Sequence, residues 1–100
     1  MEKHTPHCAL KTVRQLVETG RVRATASAFL GAREVGIFTL AAMCEVVYGL
    51  KRADFYKSMT TYSDHRIWQD VYRTTTASGA RVYLKLTVIE EVLIVSFNEL

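Results

Sequence analysis

The chain has 100 residues, of which 49% are hydrophobic and 23% charged, and its formal net charge is +3. This composition excludes a disordered tail and is typical of one small folded domain, so we expect residues 1–100 to form a single domain. No apolar run approaches the roughly 20 residues that a membrane-spanning helix needs, and no signal-peptide pattern is present, so we expect a cytoplasmic protein with no membrane partner.

Three helices are predicted in the first half of the chain, from apolar residues that recur at helical spacing. The first, residues 10–17, should end before Gly20, because glycine readily takes the left-handed conformation that follows a helix. The hydroxyls of Thr25 and Thr39 are suited to capping the second and third helices. Gly31 lies inside the second helix and makes that prediction weaker.

Strands are predicted in the second half. Polar and apolar side chains alternate over residues 81–88, as in a strand with one buried face. Residues 67–75 can form a hairpin with it through the short turn 76–79. Residues 92–97 are apolar on both faces and should form a central strand. Residues 53–57 suit either a helical turn leading into an extended segment or a strand. The order of elements predicts an α+β fold, with N-terminal helices packed on a mainly antiparallel C-terminal sheet.

The segment from Asp54 to Arg73 is too polar for a core, and we interpret it as a functional surface. Its cations, phenols and amide suit a polyanion with unstacked bases. Residues 51–89 also hold seven basic and three acidic residues, a net charge of +4 that would attract phosphates. RNA is therefore the predicted partner, although a solvated cationic face has the same composition.

Two runs in this segment, DFYKSMTTYSDH (54–65) and IWQDVYR (67–73), resemble the signature of the motility quorum-sensing regulator (MqsR) toxins. These toxins are the ribonuclease half of a bacterial toxin–antitoxin pair. The resemblance extends to both ends of the chain, through residues 5–7, 82–85 and 92–97. It implies a RelE-like α+β fold and a type II toxin.

The resemblance also implies an activity and partners. The activity is that of an mRNA interferase, an endoribonuclease that cuts messenger RNA at short GC-containing sites and so inhibits translation and growth. The partner is a cognate zinc-binding antitoxin of the MqsA kind, and operator DNA would be bound only through the toxin–antitoxin complex. Persistence and the stress response are the associated physiology.

Cleavage of RNA without a metal needs a base for the 2′-hydroxyl, a donor for the leaving oxygen and cations for the phosphate. The sequence has no cluster of carboxylates of the two-metal kind, so no metal or other cofactor is expected. The family's catalytic residues fall on Lys57, Gln69 and Tyr83. Like charge from neighbouring cations is expected to lower the pKa of Lys57 and let it exchange a proton near neutral pH.

Four further residues are predicted to contact the substrate. Arg73 has forked donors suited to a phosphate, and Lys85 is a second cation that can compensate for a missing one. Met59 suits packing against a base better than chemistry. His7, in the Thr-Pro-His run shared with the family, either lines the site or anchors the N-terminal segment.

The sequence departs from the family pattern at two positions. The family has a basic residue after the closing Val-Ser-Phe, where this chain has Asn98, and a histidine before the last strand, where it has Glu90. A neutral amide supplies no charge, so the chain is either a less active enzyme or a noncatalytic RNA- or DNA-binding regulatory domain that acts with an antitoxin.

The remaining reactive residue types are given ordinary structural interpretations. We expect Trp68 in the core and His65 in a loop. His4, His7 and Cys8 lack a fourth metal ligand, so a metal site there is disfavoured. Cys8 and Cys44 are far apart and are expected to be free, reduced thiols.

Overall fold

The computed structural model describes residues 1–100 and has the predicted α+β architecture. Its helices are α1 (Leu10–Glu18), α2 (Ala26–Arg33) and α3 (Leu40–Tyr48), followed by a single 3₁₀ turn at Arg52–Asp54. Its strands are β1 (Glu2–Lys3), β2 (Val22–Ala24), β3 (Phe55–Thr60), β4 (Trp68–Thr75), β5 (Arg81–Ile89) and β6 (Glu91–Glu99). None of the helices has the length and apolar character needed to cross a membrane.

The six strands form one sheet in the order β1-β3-β4-β5-β6-β2. Every neighbouring pair is antiparallel except β2 and β6, which are parallel. The mainly antiparallel sheet is therefore confirmed. The last strand, predicted to be central, is the fifth of the six and lies between β5 and the short edge strand β2. The two short edge strands β1 and β2 were not predicted, because two or three residues are too few to show an alternating pattern.

The helix boundaries follow the predicted capping residues. The Thr25 hydroxyl accepts a hydrogen bond of 3.0 Å from the Ala28 amide, and the Thr39 hydroxyl accepts one of 3.1 Å from the Ala42 amide. Each bond satisfies one of the amides that a helix start leaves without a partner. After α1, Gly20 has a φ of 74°, the left-handed conformation that ends the helix.

Gly31 is explained by the packing of α2 against β6. A Cβ atom built on Gly31 would lie 1.9 Å from the carbonyl oxygen of Phe97, a distance that no real side chain could occupy. Glycine thus lets the backbone of α2 approach the backbone of β6 directly. The residue that weakens the helix by propensity is the one that allows the helix to pack.

One face of the sheet packs against the helices and forms the core. The core side chains from the sheet alternate along their strands, as Val82, Leu84 and Leu86 do on β5. The helices contribute the rest of the core, including Ala28 and Ala32 of α2 and Met43 and Val47 of α3.

The expectation that residues 54–73 are too polar for a core is wrong for part of the segment. The segment contains strands β3 and β4, so every second side chain points toward the core face. Ser58, Asp70 and Tyr72 are buried there. The prediction for residues 53–57 is confirmed as a helical turn leading into a strand.

Tyr72 is fully buried, and its hydroxyl has no hydrogen-bond partner. Burial raises the pKa of this phenol well above its ordinary value, and the carboxylate of Asp70 acts in the same direction. A buried hydroxyl without a partner costs stability, since it has lost its hydrogen bonds to water.

Candidate active site

The strand register collects the predicted site residues on the face of the sheet opposite the core. Residues directly opposite each other on neighbouring strands share a face. The register forms three cross-strand rows: Met59 with Gln69; Lys57 with Val71, Lys85 and Ser96; and Arg73 with Tyr83 and Asn98. We call this surface the open face. Six of the seven predicted residues lie on it: Lys57, Met59, Gln69, Arg73, Tyr83 and Lys85.

Val71 lies at the centre of the open face, between Lys57 and Lys85. It is fully buried, yet it does not belong to the core cluster on the helix side. The long side chains around it therefore cover it, and the two lysines are half-buried in doing so. Val71 thus gives the aliphatic stems of the two lysines an apolar surface to pack on.

Lys57 is paired with Glu2. Its Nζ atom donates to Oε1 of Glu2 at 2.5 Å, and its side chain is 23% exposed. This hydrogen bond raises the pKa of Lys57 above the ordinary lysine value, and the negative charge of Glu2 adds to the effect. The predicted lowering of the Lys57 pKa by like charge is therefore wrong, because a carboxylate that was not foreseen lies closer than any cation. Lys57 is held as an ammonium ion.

Arg73 contacts an aromatic ring that a β-bulge presents to it. The register of β3 and β4 shifts between Phe55 and Lys57, so that Tyr56 is an extra residue in the ladder. Such a bulge can redirect a side chain. The Tyr56 ring lies 3.7 Å from the guanidinium carbon of Arg73 and 5.5 Å from Nζ of Lys57. The Tyr56 ring thus lies close to two cations of the open face.

Asn98 lies directly opposite Tyr83 on β6. It is exposed, and it occupies the end of the row that begins with Arg73. The position where the family pattern has a basic residue is therefore opposite a predicted catalytic phenol in the register, while the Oδ1 atom of Asn98 lies beside Gly31 of α2. Asn98 adds no charge to this row.

His7 lies on the other side of the sheet. Its backbone amide donates to Oδ1 of Asp70 at 2.9 Å, and its ring stacks on Trp68 with the ring centres 5.5 Å apart. Asp70 and Trp68 alternate with Gln69 and Val71, so they point away from the open face. The structure does not bring His7 together with Lys57, and it supports the anchoring interpretation of this histidine.

Trp68 is not a core residue, contrary to prediction. It begins β4, is only half-buried, and lies outside the core cluster. The Lys3 ammonium, 4.2 Å from the ring centre, and the stacked His7 cover it. His65 is exposed in the loop between β3 and β4, as predicted.

The predicted thiols are free, and Cys8 and Cys44 are both half-buried. Burial raises the pKa of each thiol. No three His, Cys, Asp or Glu side chains lie together in an arrangement that could hold a metal ion.

The sequence interpretation missed Glu2 and left Tyr56 out of the site. Glu2 is 55 residues from Lys57 in the chain, and only the pairing of β1 with β3 brings them together. No sequence signal marks that pairing. Tyr56 was within reach, because it adjoins Lys57, but strict alternation would have placed it on the opposite face.

The fold and this surface define a small α+β protein whose open sheet face presents cations, phenols and an amide suited to a polyanion. The chain matches the model of the family described as "Motility quorum-sensing regulator, toxin of MqsA" over residues 5–99, and it belongs to that family. It is also 60% identical over 99 residues, 99% of each chain, to a protein of Escherichia coli (strain K12) named mRNA interferase toxin MqsR.

Proposed function

We propose that this chain is the toxin of a type II toxin–antitoxin system and a metal-independent endoribonuclease that cleaves messenger RNA. Membership of the toxin family and the name of the E. coli relative support the activity. The observation that carries the proposal is that Lys57, Gln69 and Tyr83, from three consecutive strands, share the open face. Residues 1–100 would act as one toxin domain.

In this proposal the 2′-oxygen of the RNA attacks the adjacent phosphorus. The bond from O2′ to phosphorus forms while the bond from phosphorus to O5′ breaks, which leaves a 2′,3′-cyclic phosphate and a 5′-hydroxyl. Lys57 is held protonated by Glu2, so it is suited to stabilise the charged phosphate and to donate a proton to O5′. The Tyr83 hydroxyl relays the 2′-hydroxyl proton to water, and the Gln69 amide orients the ribose or phosphate.

Three further residues would hold the RNA. Arg73 presents forked donors to a phosphate, and its contact with the Tyr56 ring fixes where those donors lie. Lys85 supplies a second cation in the same row as Lys57. Met59, half-buried next to Gln69, gives an apolar contact for a base. We leave His7 out of this set because it lies on the other face.

The partners follow from the family. Because its description names MqsA, we propose a zinc-binding antitoxin of the MqsA kind as the protein partner. Operator DNA would then be bound only by the toxin–antitoxin complex, and the RNA would be cut in the cytoplasm at short GC-containing sites. The exposed loops around the open face are where such a sequence preference would be read.

The test is cleavage of a defined single-stranded RNA in EDTA, with the product ends identified. We expect the parent chain to leave 2′,3′-cyclic phosphate ends and Lys57→Ala to lose about 100-fold or more in rate. Lys11→Ala, which removes an exposed lysine from α1, is the matched control and should cleave as the parent does. Cleavage that stops in EDTA, or that survives Lys57→Ala, would contradict the proposed chemistry.

A noncatalytic RNA- or DNA-binding domain is the second candidate function, and Asn98 is the observation that favours it. The amide leaves the row of Tyr83 and Arg73 without the basic residue of the family pattern. If the parent chain binds the RNA but cleaves none of it, and Lys57→Ala weakens that binding, the binding domain is the better description.

A further inference from the structure

The ion pair between Lys57 and Glu2 joins the edge of the sheet to the centre of the open face. Glu2 belongs to β1, which pairs only with β3, and its register partner there is Met59. Lys57 lies two residues before Met59 on β3, so the ion pair runs diagonally between the two strands. The strand β4, with Gln69 and Arg73, lies on the other side of β3.

The position of Glu2 sets the direction in which its carboxylate attracts the Lys57 ammonium. Glu2 draws the Lys57 ammonium toward the outer edge of the sheet and away from the strands that carry the other proposed site residues. A carboxylate oxygen and a phosphate oxygen bind an ammonium group in the same way, by a short charge-assisted hydrogen bond. The Glu2 oxygen therefore occupies the donor that an RNA phosphate needs.

Glu2 is not part of a loose chain end. The Met1 nitrogen donates to the Thr60 hydroxyl at 3.1 Å, and the Thr60 amide donates to the Met1 carbonyl at 2.9 Å. The next residue, Lys3, pairs with Ser58 and covers the ring of Trp68. Contacts on both sides of Glu2 thus keep its carboxylate at a fixed place beside Lys57, where its effective concentration is high.

We propose that Glu2 is a positioning residue that holds the Lys57 ammonium in the absence of RNA and that competes with the substrate phosphate for it. The inference rests on the proposed function, because the competing ligand is the RNA phosphate. The Glu2 side chain is 53% exposed, and an ion pair this open to water is weak enough for a phosphate to displace. Glu2 therefore positions the Lys57 ammonium, but an RNA phosphate can displace it.

The competing interpretation is an ordinary surface ion pair with no effect on RNA. The two differ in how the effects of Glu2 and Lys57 combine. If Glu2 competes for the ammonium, its removal helps RNA binding only while the ammonium is present. If Glu2 merely adds negative charge to the surface, its removal helps equally whether Lys57 is present or not, and any other exposed carboxylate does the same.

A binding cycle separates these cases. The probe is a single-stranded RNA with every 2′-hydroxyl methylated, which the proposed reaction cannot cleave, and the proteins are the full chain, Glu2→Gln, Lys57→Gln and the double variant. We expect Glu2→Gln to tighten binding about 3- to 5-fold in the parent and to change it less than about 1.5-fold in the Lys57→Gln background. Glu99→Gln removes one exposed negative charge from β6 and should leave the affinity nearly unchanged.

Two results would overturn the proposal. One is an equal gain from Glu2→Gln with and without Lys57, and the other is weaker or unchanged RNA binding in Glu2→Gln. A failure of the proposed function would look different, because the parent would then bind the methylated RNA without cleaving its unmethylated counterpart. The binding cycle can still be read in that case.

A second readout tests the positioning directly and needs no RNA. The titration of Lys57, followed by the NMR signal of its Cε atom, should move to lower pH in Glu2→Gln, since the hydrogen bond to Glu2 is the largest cause that raises its pKa. The phenols of Tyr56 and Tyr83, which also act on this ammonium, are retained in the variant. If Lys57 titrates at the same pH in the parent and in Glu2→Gln, the ion pair does not hold Lys57, and the proposal is overturned.

Discussion

The guanidinium carbon of Arg73 lies 3.7 Å from the centre of the Tyr56 ring, a contact made possible by the bulge in β3. Arg73 makes no ion pair, so no carboxylate occupies its guanidinium donors. A planar, delocalised cation gains more from an aromatic face than an ammonium does. Arg73 thus has donors available for a phosphate.

The first prediction follows from this contact. Arg73→Lys keeps the charge but loses both the fork and the ring contact, and we expect the affinity for RNA to fall about 10-fold. Tyr56→Phe should bind RNA as the parent does, because its ring is kept. The affinity of Tyr56→Leu should lie between those of the parent and Arg73→Lys. Fluorescence anisotropy with a labelled single-stranded RNA measures all three. Arg33→Lys, at the end of α2, is the control, and an equal loss in it would contradict the assignment.

The second prediction concerns the unpartnered hydroxyl of Tyr72. Tyr72→Phe removes a buried polar atom that has no hydrogen bond, so we expect the free energy of unfolding to rise by about 1 kcal/mol at pH 7. The measurement is urea denaturation. Tyr83→Phe, on the open face, is the matched control and should leave the unfolding free energy unchanged. A less stable Tyr72→Phe variant would show that the hydroxyl has a partner in solution.

Tyr72 also makes the free energy of unfolding depend on pH in the alkaline range. Its folded-state pKa is raised above the ordinary value of 10.0 for a phenol. The unfolded chain therefore loses the proton first, and the stability that comes from keeping the phenol neutral is present below pH 10 and lost as the pH rises above it. The advantage of Tyr72→Phe should therefore increase above pH 10. A constant difference between the two proteins from pH 7 to 11 would contradict this.

The local patterns in the sequence predicted the elements well where one face of an element is buried. Strict alternation located β5, and the hydroxyls of Thr25 and Thr39 marked the starts of α2 and α3. The same alternation explains why the site residues implied by the resemblance to the toxin family lie together on one face. Lys57 and Gln69 differ from Met59 and Arg73 only by even steps along their strands, so one face receives all four.

The errors arose where contacts join distant parts of the chain. The pKa of Lys57 depends on Glu2, which only the two-residue strand β1 brings within reach. Trp68 is expected in the core, but Lys3 and His7 cover it outside the core cluster. Short edge strands and cation contacts with aromatic rings have no periodic signal, so the sequence alone does not reveal them.

The third prediction tests the close approach of α2 to β6. Gly31→Ala would gain helix propensity, but its methyl group would collide with the Phe97 carbonyl, so we expect a net loss of about 2 kcal/mol or more in unfolding free energy. Gly49→Ala is the matched control. Its Cβ would meet nothing closer than 3.4 Å, and it should be neutral or slightly stabilising. Equal stability of the two variants would show that α2 moves away from β6 at little cost.

The fourth prediction restores the cation that Asn98 lacks. Asn98 is exposed and directly opposite Tyr83 in the strand register, and its Oδ1 atom lies beside Gly31 of α2, so a longer lysine side chain there would extend past this contact into solvent. Its ammonium would add positive charge beside the phenol that we propose relays the 2′-hydroxyl proton, where the phosphate gains negative charge in the transition state. We expect Asn98→Lys to raise kcat/KM for RNA cleavage about 10-fold, measured under single-turnover conditions.

Asn98→Met is the control for this last prediction, because it adds a side chain of similar length without charge. If Asn98→Met gains as much as Asn98→Lys, the effect comes from packing over Tyr83 and not from charge. If Asn98→Lys gains nothing, the charge already supplied by Lys57, Arg73 and Lys85 is sufficient for the reaction. A gain confined to Asn98→Lys that shrinks at high salt is the result that identifies the missing cation, since an exposed ammonium acts on the phosphate through a screened charge interaction.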